Sequence, residues 1–471
     1  MKLTHAVTIL LLTLFGQVHA QGLINQSLNG NPNVGCGSFD FMEDMDAKSH
    51  GYMRLSNQYM ENLKSVVEHK SNLRSHDVLR VPVVFHVVYN KPEANLPDSV
   101  LLDQIAVLNA NFNRTISDTS NLRPDFDSLV GAANIEFYLA TKDPDGNPST
   151  GITRTPTAIT HFGGVLPYAS NQTALIQKWV TDSLMYNLFR ISQDSLGGKS
   201  AWNLKEYMNI WIGDLRILEP QVNNFEELVF FGLSTPPSNH ASWPDSLVQT
   251  LPSYTDGTLM HFVNIGSNNP NQFMGPYAVY NGLSNTGKML VHEAGHYLGL
   301  RHIWGDGDCT FDDFIHDTPR ANAASQYNCN PTLNSCVDTI NGLDLPNMIE
   351  NYMDYSSASC QNAFTIGQVN IMRAVLDNQR LDLVVNSVAE NGFQNEIKLY
   401  PNPTHGGLNL QLSQSYPSVV VNVLDMQGRL VSQKKYANTT SIALEMEGPV
   451  GIYFVRVISE NNTAIFKVVK Q

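Results

Sequence analysis

Positive charge is in short supply in this chain: 29 Lys and Arg stand against 43 Asp and Glu, a formal net charge of −14 over 471 residues. That balance argues against nucleic acid as a partner, because such binding rests on neutralising phosphates. Long apolar runs are missing as well. VPVVFHVVY at 81–89 falls far short of the roughly 20 residues a spanning helix needs, and reads as a buried strand. No internal repeat or low-complexity tract is present, which excludes a repeat architecture. Cysteine is sparse at five residues, and histidine at 14.

The apolar run that does exist lies at the start. Lys2, AVTILLLTLF and VHA at 18–20 supply the charged, apolar and small-residue parts of a secretory signal peptide, residues 1–20, expected to be removed near Ala20. Polar Gln17 and His19 interrupt it too early for an anchor, so no transmembrane segment is expected to remain. Export makes the cysteines informative. Cys309, Cys329, Cys336 and Cys360 cluster, and an oxidising compartment favours two bridges among them, with three pairings open. Cys36 is left over.

Residues 21–75 are rich in Asn, Ser, Glu and Lys, with a helical segment around SNQYMENLKSVVEH. LRVPVVFHVVY then looks like the first strand of a packed domain. DSVLLDQIAVLNANFNR reads as a helix, IEFYLA and YMNIWIGDL as strands. Residues 235–256, full of Pro, Ser and Asp, read as a surface loop. After about residue 386 the composition changes to short alternating strands, with turns expected at Asp425–Gly428 and Glu460–Asn462. A separate β-sandwich over 394–471 follows.

Three of the 14 histidines fall in VHEAGHYLGLRH. A helix with its N-cap at Ser284, Asn285 or Thr286 would put His292 and His296 on one face, four residues apart, where both can hold one ion. Gly299 can end that helix in a left-handed conformation and return His302 to the same ion. Zinc suits three neutral imidazoles with one position open. Glu293, beside the first histidine, is placed to act as general base on water and then to protonate the leaving amine.

The HExxHxxGxxH pattern resembles the metzincin metallopeptidases, which carry a methionine turn beneath the metal; NYMDYS supplies Met353. Tyr355, two positions on, corresponds to a tyrosine that in several metzincins borders the zinc and stabilises the oxyanion. VPVVFHVVY, HEAGHYLGLRH, DDFIHDTP and NYMDYS together resemble the pappalysin family in its compact prokaryotic form, over roughly 80–385. The resemblance implies an α+β fold: a mixed twisted sheet with helices, and zinc in a cleft between two subdomains. It also implies Cys309–Cys336 and Cys329–Cys360 bridges, and a Cys-Gly switch in which Cys36 ligates zinc in a latent precursor. A stray free thiol or an intermolecular bridge is the other reading of Cys36. Residues 21–75 would then be a propeptide and 76–386 the catalytic domain, with Arg74 and Arg80 as candidate activation sites. Ala358 stands where some relatives carry an acidic specificity residue, so a preference for arginine is not expected here.

GDGDCTFDD concentrates Asp306, Asp308, Asp312 and Asp313, a set of hard oxygen ligands suited to structural calcium or else a solvated acidic loop. LYPNPT, DMQGRLV and GIYFVRV resemble the type IX secretion sorting domain of Bacteroidetes. That implies export across the outer membrane by that machinery, to the medium or the cell surface. Protein or peptide substrates complete the reading. The competing class, a zinc-containing surface adhesin on a peptidase scaffold, has no use for Glu293.

Overall fold

The computed structural model describes residues 34–49, 51–69, 78–165, 187–220, 225–237, 256–384, 396–425, 430–459 and 462–471. The signal segment 1–20, Arg74, most of the 235–256 loop and parts of the two expected hairpin turns lie outside them.

One mixed, nine-stranded sheet carries the first half of the chain. Its strands are β1 (Val34–Cys36), β2 (Leu79–Tyr89), β3 (Ile135–Leu139), β4 (Ile152–Pro156), β5 (Gly164–Val165), β6 (Met208–Gly213), β7 (Arg216–Pro220), β8 (Phe225–Ser234) and β9 (Thr258–His261). They run in the order β3-β2-β6-β9-β8-β7-β5, with β4 also on β2 and β1 on β8. β2 is parallel to β3, β4 and β6, and β6 to β9, whereas β8 reverses against β9. The β-branched run of β2 is buried along almost its whole length, as a strand covered on both faces must be.

Alternation sends the two faces into different cores. Val81, Val83, Phe85 and Val87 join a large cluster with helix α3 (Asp98–Phe112) and helix α4 (Lys288–Tyr297). Val88, Trp211, Leu259 and Phe230 join a smaller one with Phe162, Phe189 and Ile191. Two helices ahead of β2 also enter these cores: α1 (Ser38–Ser49) reaches the smaller and α2 (Tyr52–His69) both. Helix α5 (Ile366–Asn378) begins with a reciprocal capping box, Thr365 with Gln368. Beyond it Arg380 donates to Asp256 at 2.9 Å and to the Tyr297 carbonyl at 3.1 Å, tying the end of α4 to the start of β9. Arg80 lies inside β2, on Glu136 and over the Tyr138 ring, so a cut there would remove Leu79 from the sheet.

The C-terminal part is an all-β sandwich of two sheets. One holds β10 (Ile397–Tyr400), β11 (Gly407–Tyr416) and β14 (Thr439–Glu445). The other runs β13 (Leu430–Tyr436), β12 (Val419–Leu424), β15 (Gly451–Ser459), β16 (Asn462–Lys470). Leu408, Leu410, Val421, Val455 and Val457 fill the space between them.

A buried histidine sits at the centre of the main sheet. His86 Nδ1 pairs with Thr153 Oγ1 at 2.7 Å and Nε2 with Asn209 Oδ1 at 2.9 Å, joining β4, β2 and β6. Burial lowers its pKa to about 4. The unfolded chain, with a pKa of about 6.5, takes the proton first, so stability falls as pH drops from 6.5 towards 4. At pH 5 the loss from this residue is about 2 kcal/mol. Urea unfolding read by tryptophan fluorescence at pH 7 and pH 5 is expected to differ less for His86→Gln by about that amount.

Candidate metal centre

Helix α4 starts one residue after Gly287, which takes the N-cap position at φ 68°, in place of the expected Ser284, Asn285 or Thr286. The left-handed entry turns Lys288 inward, where its Nζ donates to Asp118 at 2.6 Å and to the Ala358 and Gln361 carbonyls at 2.9 and 2.7 Å. Thr286 Oγ1 still accepts the Lys288 N–H at 3.2 Å. One turn further, His292 and His296 share a face. Gly299, at φ 92°, then reverses the chain and His302 comes back beside them.

His296 Nε2 lies 3.1 Å from both His292 Nε2 and His302 Nε2. Three imidazole nitrogens on a tetrahedral zinc, each about 2.05 Å from it, would be about 3.3 Å apart. The other ring nitrogens settle the tautomer. Nδ1–H of His292 donates to the Tyr352 carbonyl at 2.6 Å, that of His296 to the Leu300 carbonyl at 2.9 Å, and that of His302 to Asp306. Every Nε2 lone pair therefore faces one point. Burial pushes His292 down to about 3 and His296 well below its ordinary range, so both rest neutral. The donor set fits zinc.

Cys36 completes the group: its Sγ and the three histidine nitrogens lie within 4.8 Å of one another, the one such cluster among the described residues. Burial, then the Glu293 charge, push this thiol well above its ordinary range. The Ser38 hydrogen bonds favour the thiolate but do not outweigh that push, and a cation at the shared point would act in the same direction as they do.

Glu293 is fully enclosed, and burial raises its carboxyl to about 7. It packs against β8 at Gly232, where a Cβ would stand 2.6 Å from Glu293 Cγ. Ser38 Oγ donates to Glu293 Oε2 at 3.3 Å. Tyr355 closes the other side, its ring 5.0 Å from that of His302 and 4.9 Å from that of Trp304, which itself stacks on His302 at 4.3 Å. Its hydroxyl accepts the Cys36 N–H at 3.2 Å and donates to the Cys36 carbonyl at 3.3 Å.

Met353 lies under the histidines. Asn351 Oδ1 accepts the Met353 N–H at 2.9 Å, and the Asn351 amide exchanges hydrogen bonds of 2.9 and 3.0 Å with Gln368 of the α5 cap. Disulfides join Cys309 to Cys336 and Cys329 to Cys360. Ala358 is buried, its carbonyl held by Lys288.

The four aspartates, open to reading as a calcium set or as a solvated loop, form no shared cluster of three or more among the described residues. Asp306 holds His302, while Asp308 accepts from Thr310, Asp312 from Phe314 and Arg320, and Asp313 from Ile315 and Thr318. Local turns and the histidine use these carboxylates separately. The sequence does contain the signal for Asp306, an acid four residues after a ligand histidine. Ser38 and Asn351 carry no such signal, whereas Gln368 stands in a Thr-x-x-Gln capping pattern with Thr365.

Helical glycine to alanine ordinarily stabilises by about 1 kcal/mol. At Gly295 the sign is reversed, because a Cβ would stand 2.5 Å from the sulfur and 3.3 Å from the methyl carbon of Met353, a side chain that is itself fully buried. Gly295→Ala is expected to destabilise by about 1–3 kcal/mol and to weaken zinc binding at least about tenfold. Thermal unfolding and chelator competition measure the two effects.

Residues 266–377 match the peptidase family described as pregnancy-associated plasma protein-A, and 398–471 match the secretion system C-terminal sorting domain. Mature mirolysin of Tannerella forsythia, solved with a cleaved peptide, is 32% identical, covering 65% of this chain and 96% of its own, with a TM-score of 0.49. A promirolysin mutant from the same organism is 29% identical over 75% of this chain and 97% of its own, with a TM-score of 0.54. An extracellular metalloprotease of Arthroderma benhamiae is 42% identical over 87 residues, 18% of this chain. That match spans only 30% of the fungal protein's length.

Proposed function

From the premise that this chain belongs to the pappalysin metallopeptidases and carries a type IX sorting tail, we propose that it is a secreted zinc endopeptidase made as a latent precursor. The observation that carries the reading is the convergence of three histidine Nε2 atoms beside a buried carboxyl. His292, His296 and His302 would hold zinc in the working enzyme, and Cys36 would join them in the precursor. Bound zinc would supply Lewis acidity, polarising a peptide carbonyl and making water acidic enough to attack near neutral pH.

The chain's own residues do the rest. Glu293, with its carboxyl near 7, takes a proton from the attacking water and returns it to the leaving amine. Tyr355, released from the Cys36 backbone, donates its hydroxyl to the oxygen on which charge develops. Met353 and its Asn351–Gln368 support keep the floor rigid while these groups move protons. Buried Ala358 puts no charge on the wall beyond Tyr355, which suits neutral or apolar side chains after the scissile bond.

Residues 21–75 act as the propeptide, 76–386 as the catalytic domain and 394–471 as the sorting domain, after removal of 1–20. Type IX export would place the enzyme outside the cell, where proteins or peptides are its substrates. The likeness to promirolysin and to extracellular fungal metalloproteases supports the reading of an exported, latent metallopeptidase.

Casein hydrolysis separates the states. The trimmed chain beginning near residue 75 is expected to be active and the full chain silent. Trimmed Glu293→Ala should keep its zinc and lose about 10³-fold in kcat. Chelation should abolish activity and zinc restore it. A trimmed chain that binds one zinc and cleaves nothing in a broad peptide library overturns the proposal.

A further inference from the structure

The segment ahead of β2 grips the rest of the chain in two separate ways. At the cleft, β1 runs parallel along β8, and Gly37 N–H donates to the Gly232 carbonyl at 2.9 Å. Ser38 follows, and its hydroxyl is the hub of the contact. It accepts the Ser234 N–H at 2.9 Å while donating to Glu293 Oε2. Ser38 N–H in turn donates to Cys36 Sγ at 3.4 Å. The hydroxyl also accepts from the Cys36 thiol at 3.2 Å, so it stands between the thiol and the base and touches both.

Away from the cleft, the grip is apolar. Phe41, Met45, Tyr52, Tyr59, Met60 and Leu63 are all at least 95% buried, divided between the two cores that flank the sheet. Phe41 packs on Phe189 with ring centroids 5.3 Å apart, and Ser56 Oγ accepts from buried Arg301 at 2.8 Å. Burial on this scale does not depend on the covalent link to β2.

We propose that Val34–His69 is a complete inhibitor in its own right: it stays docked after the chain behind it is cut, with Ser38 recognising Glu293 as a second latch beside Cys36. Activation then requires destruction of the segment as well as a cut between it and β2. The inference rests on the zymogen reading above, but its test reads binding and not turnover.

A site for a sequence-specific protease is placed between His69 and Val78 of the full-length chain, which is folded, checked intact, and then cut. The segment is expected to co-elute with the remainder on size exclusion at about 1 μM, with casein hydrolysis still at the uncut level. Ser38→Ala should speed its release about tenfold where Glu293 is present. In a Glu293→Ala chain the same change should matter less than about twofold, because the charged partner is gone. Immediate separation of the segment overturns the proposal. An equal effect of Ser38→Ala in both backgrounds overturns the latch. Co-elution followed by no hydrolysis once the segment is degraded would sustain this inference and overturn the endopeptidase reading alone.

Discussion

Each ligand histidine commits its Nδ1 proton to a fixed acceptor, and the rest of the catalytic part is arranged to keep those three acceptors in place. An imidazole whose far nitrogen is free can rotate or change tautomer, and either event removes a lone pair from the metal point. Here the acceptors come from three devices. The Tyr352 carbonyl belongs to the methionine turn, the Leu300 carbonyl follows the reversal at Gly299, and Asp306 lies on the loop that His302 begins. The methionine turn is therefore more than a floor. Its backbone orients His292, and its own position is inherited from the α5 cap through Gln368 and Asn351.

Opposite this lower wall stands β8, an edge where backbone groups face the cleft. Gly232 lets the Glu293 side chain lie flat against that edge. The same close approach desolvates the carboxyl and moves it towards neutrality, so one missing side chain sets both the position and the basicity of the group. The segment before β2 uses the same edge, adding a strand to it as a bound peptide would.

Much of this was legible in the sequence, for reasons that differ from element to element. Helical spacing put His292 and His296 together, and a glycine at 299 foretold the reversal, since few other residues accept φ 92°. A β-branched run marked β2, the short apolar segment around Ile210, Trp211 and Ile212 marked β6, and alternation marked the C-terminal sandwich. What stayed hidden was long-range. Ser38 meets Glu293 across 255 positions, and no local pattern distinguishes that serine from its neighbours. The start of α4 escaped because Lys288 is pulled inward by carbonyls 70 and 73 residues away. Asp306 was visible as an acid, but the density of carboxylates left a calcium site and a solvated acidic loop equally open and did not single out its bond to His302.

The two disulfides interleave: Cys329 lies inside the loop closed by Cys309 and Cys336, and Cys336 inside the loop closed by Cys329 and Cys360. Between α4 and α5 there is no helix or strand among the described elements, and most residues of 326–344 there are exposed. Its topology answers that exposure. A single break anywhere from Cys309 to Cys360 is spanned by at least one bridge, so the severed ends remain on the same molecule. Nicks in the wall of its own cleft would leave the protein in one piece, an advantage for an exported metalloprotease that can cut its own kind.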